Sequence, residues 1–142
     1  MIEAHGAAHI DAPIEDVFDY LADARNEPQW LPGAQQVTKT SDGPLGLGTR
    51  FEGTYVRAGR VELELVEFER PTRFTFRARA RIVAFDDEVT LSERDGGTAL
   101  SARMEAEPRG VMKLFAPLMA RTLRRQFAAN WEHAKEALES RR

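Results

Sequence analysis

A chain of 142 residues, 42% hydrophobic and 30% charged, is long enough to bury about two-thirds of its unfolded surface but too short for two cores, so one domain over residues 1–142 is expected. Its formal charge of −3 lacks the basic excess of a nucleic-acid binder, and the absence of cysteine excludes disulfides, thiolate metal sites and thiol nucleophiles. The start, M-I-E-A-H-G, is not a signal sequence, and no apolar run approaches the roughly 20 residues of a bilayer span, so a cytoplasmic protein without stable membrane insertion is expected.

Residues 2–10 alternate, with Ile2, Ala4, Ala8 and Ile10 on one face and Glu3, His5 and His9 on the other, the period-2 pattern of a half-buried strand. The period then changes. Pro13 suits the first position of a helix, Glu15 and Asp16 suit its positive end, and Ile14, Val17, Phe18 and Leu21 form one stripe. Between Asn26 and Gly33 the prolines at 28 and 32 prevent a long helix, so a turn or a short second helix carries Trp30.

From Val37 to Glu107 the chain reads as a run of strands. Gly43, Pro44, Gly46 and Gly48 form a loop before a strand whose inner face is Phe51, Gly53 and Tyr55. Val61, Leu63 and Leu65 make the next inner face. A three-residue loop of Arg57, Ala58 and Gly59 then predicts Tyr55 opposite Val61 and Glu52 opposite Glu64. Farther on, Phe74, Phe76, Ala78 and Ala80 alternate with Arg73, Arg77, Arg79 and Arg81. The turn joining this strand to the next falls between Arg79 and Phe85, where no Gly, Pro or Asn marks it. Asp95-Gly96 is a preferred two-residue turn, and it predicts Arg94 opposite Gly97, Leu91 opposite Leu100, Val89 opposite Ala102, Glu88 opposite Arg103 and Asp87 opposite Met104.

The chain closes on a long helix whose stripe is Leu123, Phe127, Trp131, Ala134 and Leu138. Pro117 interrupts the pattern upstream, so Val111 to Phe115 is either a separate helical turn or the start of a kinked helix.

Taken in order, I-D-A-P-I-E-D-V-F-D-Y-L, P-Q-W-L-P-G, G-P-L-G-L-G-T-R-F, E-R-P-T-R-F-T-F, D-G-G-T-A-L and a long terminal helix resemble the START-like (SRPBCC) superfamily, in its polyketide cyclase/dehydratase and lipid-transport branch. The resemblance covers nearly the whole chain. It implies an α+β helix-grip fold: a curved antiparallel sheet of about seven strands around the C-terminal helix, with two small helices between strands 1 and 2. It also implies an apolar cavity between sheet and helix for a lipid, polyketide, quinone or similar molecule.

On that reading Trp30 is a wall residue that packs toward Phe18 and the terminal helix. The strands would contribute Phe51, Tyr55, Leu63, Phe74, Phe76, Phe85, Asp87 and Met104 to the concave surface. The helical end would contribute Met112, Phe115, Met119, Leu123 and Phe127. Apolar residues serve a filled core as well as a pocket, and methionine serves as a gap filler as well as a ligand contact. Asp87 and Tyr55 are the candidates for chemistry. A carboxylate in an apolar cavity acquires a raised pKa suited to general acid or base work, and a phenol can hydrogen-bond a carbonyl, unless a bulge or a place at the solvated rim turns them to water.

Other constellations fall away. His5 and His9 are about 13 Å apart along a strand, too far to share a metal, and His133 lies beside the helix stripe, toward solvent. The serines lack an elbow motif, and the glycines from 43 to 48 lack the G-K-[ST] ending of a phosphate loop. No metal or cofactor is expected. The function expected is binding of a hydrophobic small molecule. One alternative is a cyclase or dehydratase that moves protons with Asp87 or Tyr55, and another is an interaction protein of the same fold with a filled core. Either a monomer or a homodimer fits the sequence.

Overall fold

The computed structural model describes residues 1–141; Arg142, the last residue of the expected domain, lies outside them. Seven strands, β1 (Ile2–Ile10), β2 (Ala34–Lys39), β3 (Arg50–Tyr55), β4 (Gly59–Glu69), β5 (Arg73–Ala80), β6 (Val83–Arg94) and β7 (Gly97–Pro108), form one antiparallel sheet in the order β1-β7-β6-β5-β4-β3-β2. The sheet is open and curved, and it grips the 25-residue helix α3 (Ala116–Ser140), as the helix-grip expectation required. Two short helices, α1 (Ile14–Leu21) and α2 (Glu27–Trp30), lie between β1 and β2.

Helix α1 buries Ile14, Val17, Phe18 and Leu21 as its stripe predicts, together with Tyr20. Pro13 stands one position earlier than expected, as the N-cap, where its carbonyl accepts from the Val17 amide at 3.1 Å. A turn of 3-10 helix over residues 24–26 joins α1 to α2, and Pro28 sits in the first turn of α2, where its missing N–H costs no helical bond. At the other end, residues 110–115 form a separate 3-10 helix that abuts α3. This decides between the two readings of that segment. Pro117 lies in the first turn of α3, where it starts the helix instead of kinking it.

The hairpin of β6 and β7 has the predicted register at every pair, including Asp87 with Met104 and Glu88 with Arg103. Asp95 and Gly96 both adopt positive φ, 51° and 79°, which the two-residue turn needs to match the twist of the strands. The hairpin of β3 and β4 differs from expectation. Tyr55 pairs with Gly59, Gly53 with Val61 and Glu52 with Glu62, so the loop is Val56 to Ala58 and Gly59, at φ 73°, already belongs to the strand. The pairing is displaced by two residues, which keeps every side chain on its expected face. The like-charged pair Glu52 and Glu62 is tolerated because Arg60 reaches Glu52 at 2.7 Å on the wet face.

The basic row of β5 lies on that same outer face. Arg77 meets Asp86 at 3.1 Å, and Arg73 contacts Glu67 and, at 3.7 Å, Glu69. These partly exposed pairs contribute little to stability individually, but they balance Arg73 and Arg77 on a solvated sheet face. Inside, α3 buries Phe127, Trp131, Ala134 and Leu138 against the sheet. Trp131 crosses β1 at Gly6, the one inner position of that strand without a side chain to meet the indole.

Candidate functional site

A cavity of about 850 Å3 lies between the concave face of the sheet and α3. Strands β4 to β7 form its floor through Val61, Leu63, Phe74, Phe76, Val89 and Ala106, and Leu123, Phe127 and Trp131 of α3 form its roof. Residues 30–33 and the β3–β4 loop close one side, held together by the Val56 amide donating to the Gly33 carbonyl at 2.9 Å. Met112, Phe115, Leu118 and Met119 border another side, with Phe115 and Leu118 exposed.

The expected wall residues come together here, with one exception. Trp30, Tyr55, Leu63, Phe74, Phe76, Phe85, Asp87, Met104, Met112, Phe115, Met119, Leu123 and Phe127 all line the cavity. Phe51 does not. It lies beneath the wall, only 1% exposed, and meets Phe76 edge to face at 6.0 Å. Trp30 packs toward the terminal helix as expected, through Trp131 at 5.5 Å. Phe18 is not its ring partner: that side chain pairs with Phe68 and Phe74 at 5.1 and 5.5 Å. His133 is exposed, at the cavity rim. His5 and His9 lie on the outer face of β1, where His5 meets Glu3 and His9 meets the Arg94 carbonyl.

Three ionisable side chains stand on the inner wall, while Thr122, Gln126 and Asn130 of α3 are the uncharged polar residues of the lining. The unbroken register of β6 through Asp87 points its carboxyl inward, between Phe76 of β5 and Met104 of β7. Its Oδ1 is sealed from solvent and accepts no hydrogen bond from the described residues. The bulge considered for this strand is absent at Asp87, and burial with the nearby Glu27 charge pushes its carboxyl up to about 8. Glu27, the first residue of α2, is the second group. It is buried and was missed by sequence reasoning. Burial pushes it up to about 7, against the lowering effect of the hydrogen bond that Tyr55 Oη donates to its Oε1. Burial and that same partner hold the Tyr55 phenol protonated well above its ordinary range.

No cation among the described residues offsets the shift of either carboxyl group. The charged side chains that reach the wall besides Glu27 and Asp87 are Arg57 and His133, both exposed. The arrangement is an apolar chamber with a pair of carboxyl groups that hold their protons near neutrality, and such a pair can accept, donate or transfer a proton. No cluster of metal-ligating side chains occurs among the described residues, nor a helix long and apolar enough to cross a membrane.

A helix-grip sheet with a cavity beneath its helix defines a START-like protein. The chain belongs to the polyketide cyclase/dehydrase and lipid transport family, whose model matches residues 1–139. It is 30% identical over 120 residues to uncharacterized proteins of Mycobacterium tuberculosis and Mycobacterium bovis, a match spanning 78% of this chain and 71% of each of those. A START superfamily protein from Mycobacterium smegmatis shares the fold with a TM-score of 0.74 at 14% identity, over 99% of this chain and 97% of that one. The di-domain ARO/CYC StfQ from the steffimycin biosynthetic pathway shares it with a TM-score of 0.78 at 13% identity, over 98% of this chain and 50% of StfQ.

Proposed function

We propose that this protein binds a hydrophobic small molecule of the lipid, polyketide or quinone kind in the cavity beneath α3. The observation that carries the reading is the size and wall of that cavity: about 850 Å3, within the roughly 300–1,000 Å3 of small-molecule sites, with an apolar lining and few convergent polar groups. An interaction protein of this fold would need a filled core instead. Its core is not filled.

The test is to extract the purified protein under denaturing conditions and identify what it carries by mass spectrometry, beside a Leu123→Trp variant. Leu123 lines the roof and is only half-buried, so a larger side chain there takes up cavity volume without crowding the buried residues beneath the wall. A compound retained at one per chain by the parent, and reduced at least about tenfold in the variant at equal thermal stability, supports the reading. Retention unchanged by Leu123→Trp defeats it.

The carboxyl pair favours a second reading, a polyketide cyclase or dehydratase. Ionised Asp87 would take a proton from a carbon between two carbonyls, the resulting enolate carbon would attack a further carbonyl, and the returned proton would make that alkoxide a hydroxyl. Removal of the remaining proton from the attacking carbon, with a proton delivered to the departing hydroxyl, would then release water and leave a carbon–carbon double bond. Loss of water from a poly-β-keto thioester, followed by mass spectrometry, should slow about a hundredfold in Asp87→Asn. An equal rate in that variant removes this reading.

A further inference from the structure

We infer that the cavity is built for an amphiphilic ligand whose inner end is a hydrogen-bond donor, best a basic amine, and that it discriminates against one ending in a carboxylate. The inference rests on the binding reading above and concerns the chemistry of the ligand's head. The titratable or charged side chains on the wall are Glu27, Tyr55, Arg57, Asp87 and His133. Arg57 and His133 are exposed, so the inner end is set by the other three.

Each of those three offers acceptor capacity. The single proton of the Tyr55 hydroxyl is committed to Glu27, which leaves the phenol oxygen only lone pairs to present. Asp87 Oδ1 accepts from no described residue, although it is sealed. Its strand neighbours, Phe76 and Met104, cannot donate to it. Oδ1 is out of a ligand's reach, so the acceptor that a ligand donor meets is Oδ2, which is not sealed and has no hydrogen-bond partner among the described residues. Two N–H groups on the wall also have no partner, Trp30 Nε1 and Trp131 Nε1. The second packs over Gly6, where an added Cβ would come within 2.6 Å of it, so it faces the sheet. A single neutral indole does not reverse the sign of a site that holds two carboxyl groups.

Charge separates amines from the other donors. An ammonium that reaches Asp87 exchanges its proton for one favourable ion pair in a chamber where Coulomb attraction is poorly screened. An alkyl amine, about as basic as lysine, keeps its proton while one carboxyl group releases its own to solvent. A ligand carboxylate gains no such ion pair: where Glu27 and Asp87 hold their protons it can only accept a hydrogen bond, and where they are ionised it faces charges of its own sign.

Titration calorimetry with decylamine, decanol and decanoate, each below its micelle concentration, tests this. Decylamine should bind at least about tenfold more tightly than decanoate, with a heat that depends on the buffer because protons are released. Asp87→Asn should reduce that preference about tenfold. Decanol, whose hydroxyl can still donate to the amide oxygen of Asn, should bind within a few-fold of the parent, which shows the cavity open. Decanol binding without a preference for the amine, or a preference unaltered by Asp87→Asn, overturns the inference and leaves the binding reading standing. Silence from all three ligands overturns both.

Discussion

Asp87→Asn is expected to stabilise the protein above about pH 8 and to flatten its dependence on pH. In the fold the Asp87 carboxyl is pushed up to about 8 from the ordinary 3.8, first by burial and then by the charge of Glu27. The folded state therefore holds a proton that the unfolded chain has already released. Stability from this source is fully present below the unfolded value of 3.8 and is lost progressively as pH rises through about 8. Glu27 acts in the same direction, between 4.5 and about 7. The Asp87 displacement alone is equivalent to about 6 kcal/mol. Water entering the cavity solvates the ionised form, so denaturant titrations at about pH 9 should find the variant only about 2–3 kcal/mol more stable. A parent protein whose stability is level between about pH 5 and 9 would show that Asp87 ionises in the fold at no cost. Stabilisation with lost ligand selectivity would be the trade expected of a strained functional group.

Gly6→Ala is expected to destabilise the protein by at least about 2 kcal/mol, although a single methyl group is added. A Cβ at this position would stand 2.2 Å from Trp131 Cδ1. The indole is blocked on two sides, because Phe127 meets it edge to face at 5.5 Å and Trp30 lies against it at 5.5 Å. The remaining course is movement into the cavity, so ligand affinity should fall with stability. Thermal unfolding in parent and Trp131→Phe backgrounds checks the cause: the cost of the methyl group should shrink on the smaller ring. Equal costs in both backgrounds would place the strain elsewhere.

How far the sequence made this legible depends on local chemistry. Asp95-Gly96 dictates a single two-residue turn, so the entire β6–β7 register could be read directly; the aim of Asp87 stayed open, because no sequence signal excludes a bulge beside it. No dipeptide so restrictive follows β3. A glycine at 59 fits a loop or a strand start, and the pairing moved by two residues while the faces survived. Glu27 escaped because R-N-E-P-Q-W reads as a polar connection and a four-residue helix has no periodicity to detect. The signal was spacing: Glu27 is three residues before Trp30, and on a helical turn a wall residue at 30 brings position 27 to the same side. Phe51 was misplaced for the opposite reason. Alternation gives the face of the sheet, but only packing shows that Phe76 stands between it and the cavity.

The pair formed by Trp30 and Trp131 has an optical consequence. The chain contains two tryptophans, and both belong to the wall of one cavity, with ring centroids 5.5 Å apart and planes inclined by 31°. All of the protein's indole emission therefore originates at the place where an occupant would lie, with no distant fluorophore to dilute the signal. At this separation the two transition dipoles couple, so the far-ultraviolet circular dichroism should carry an exciton couplet on top of the backbone spectrum. The molecule is its own label-free reporter of whether, and how fast, that chamber fills.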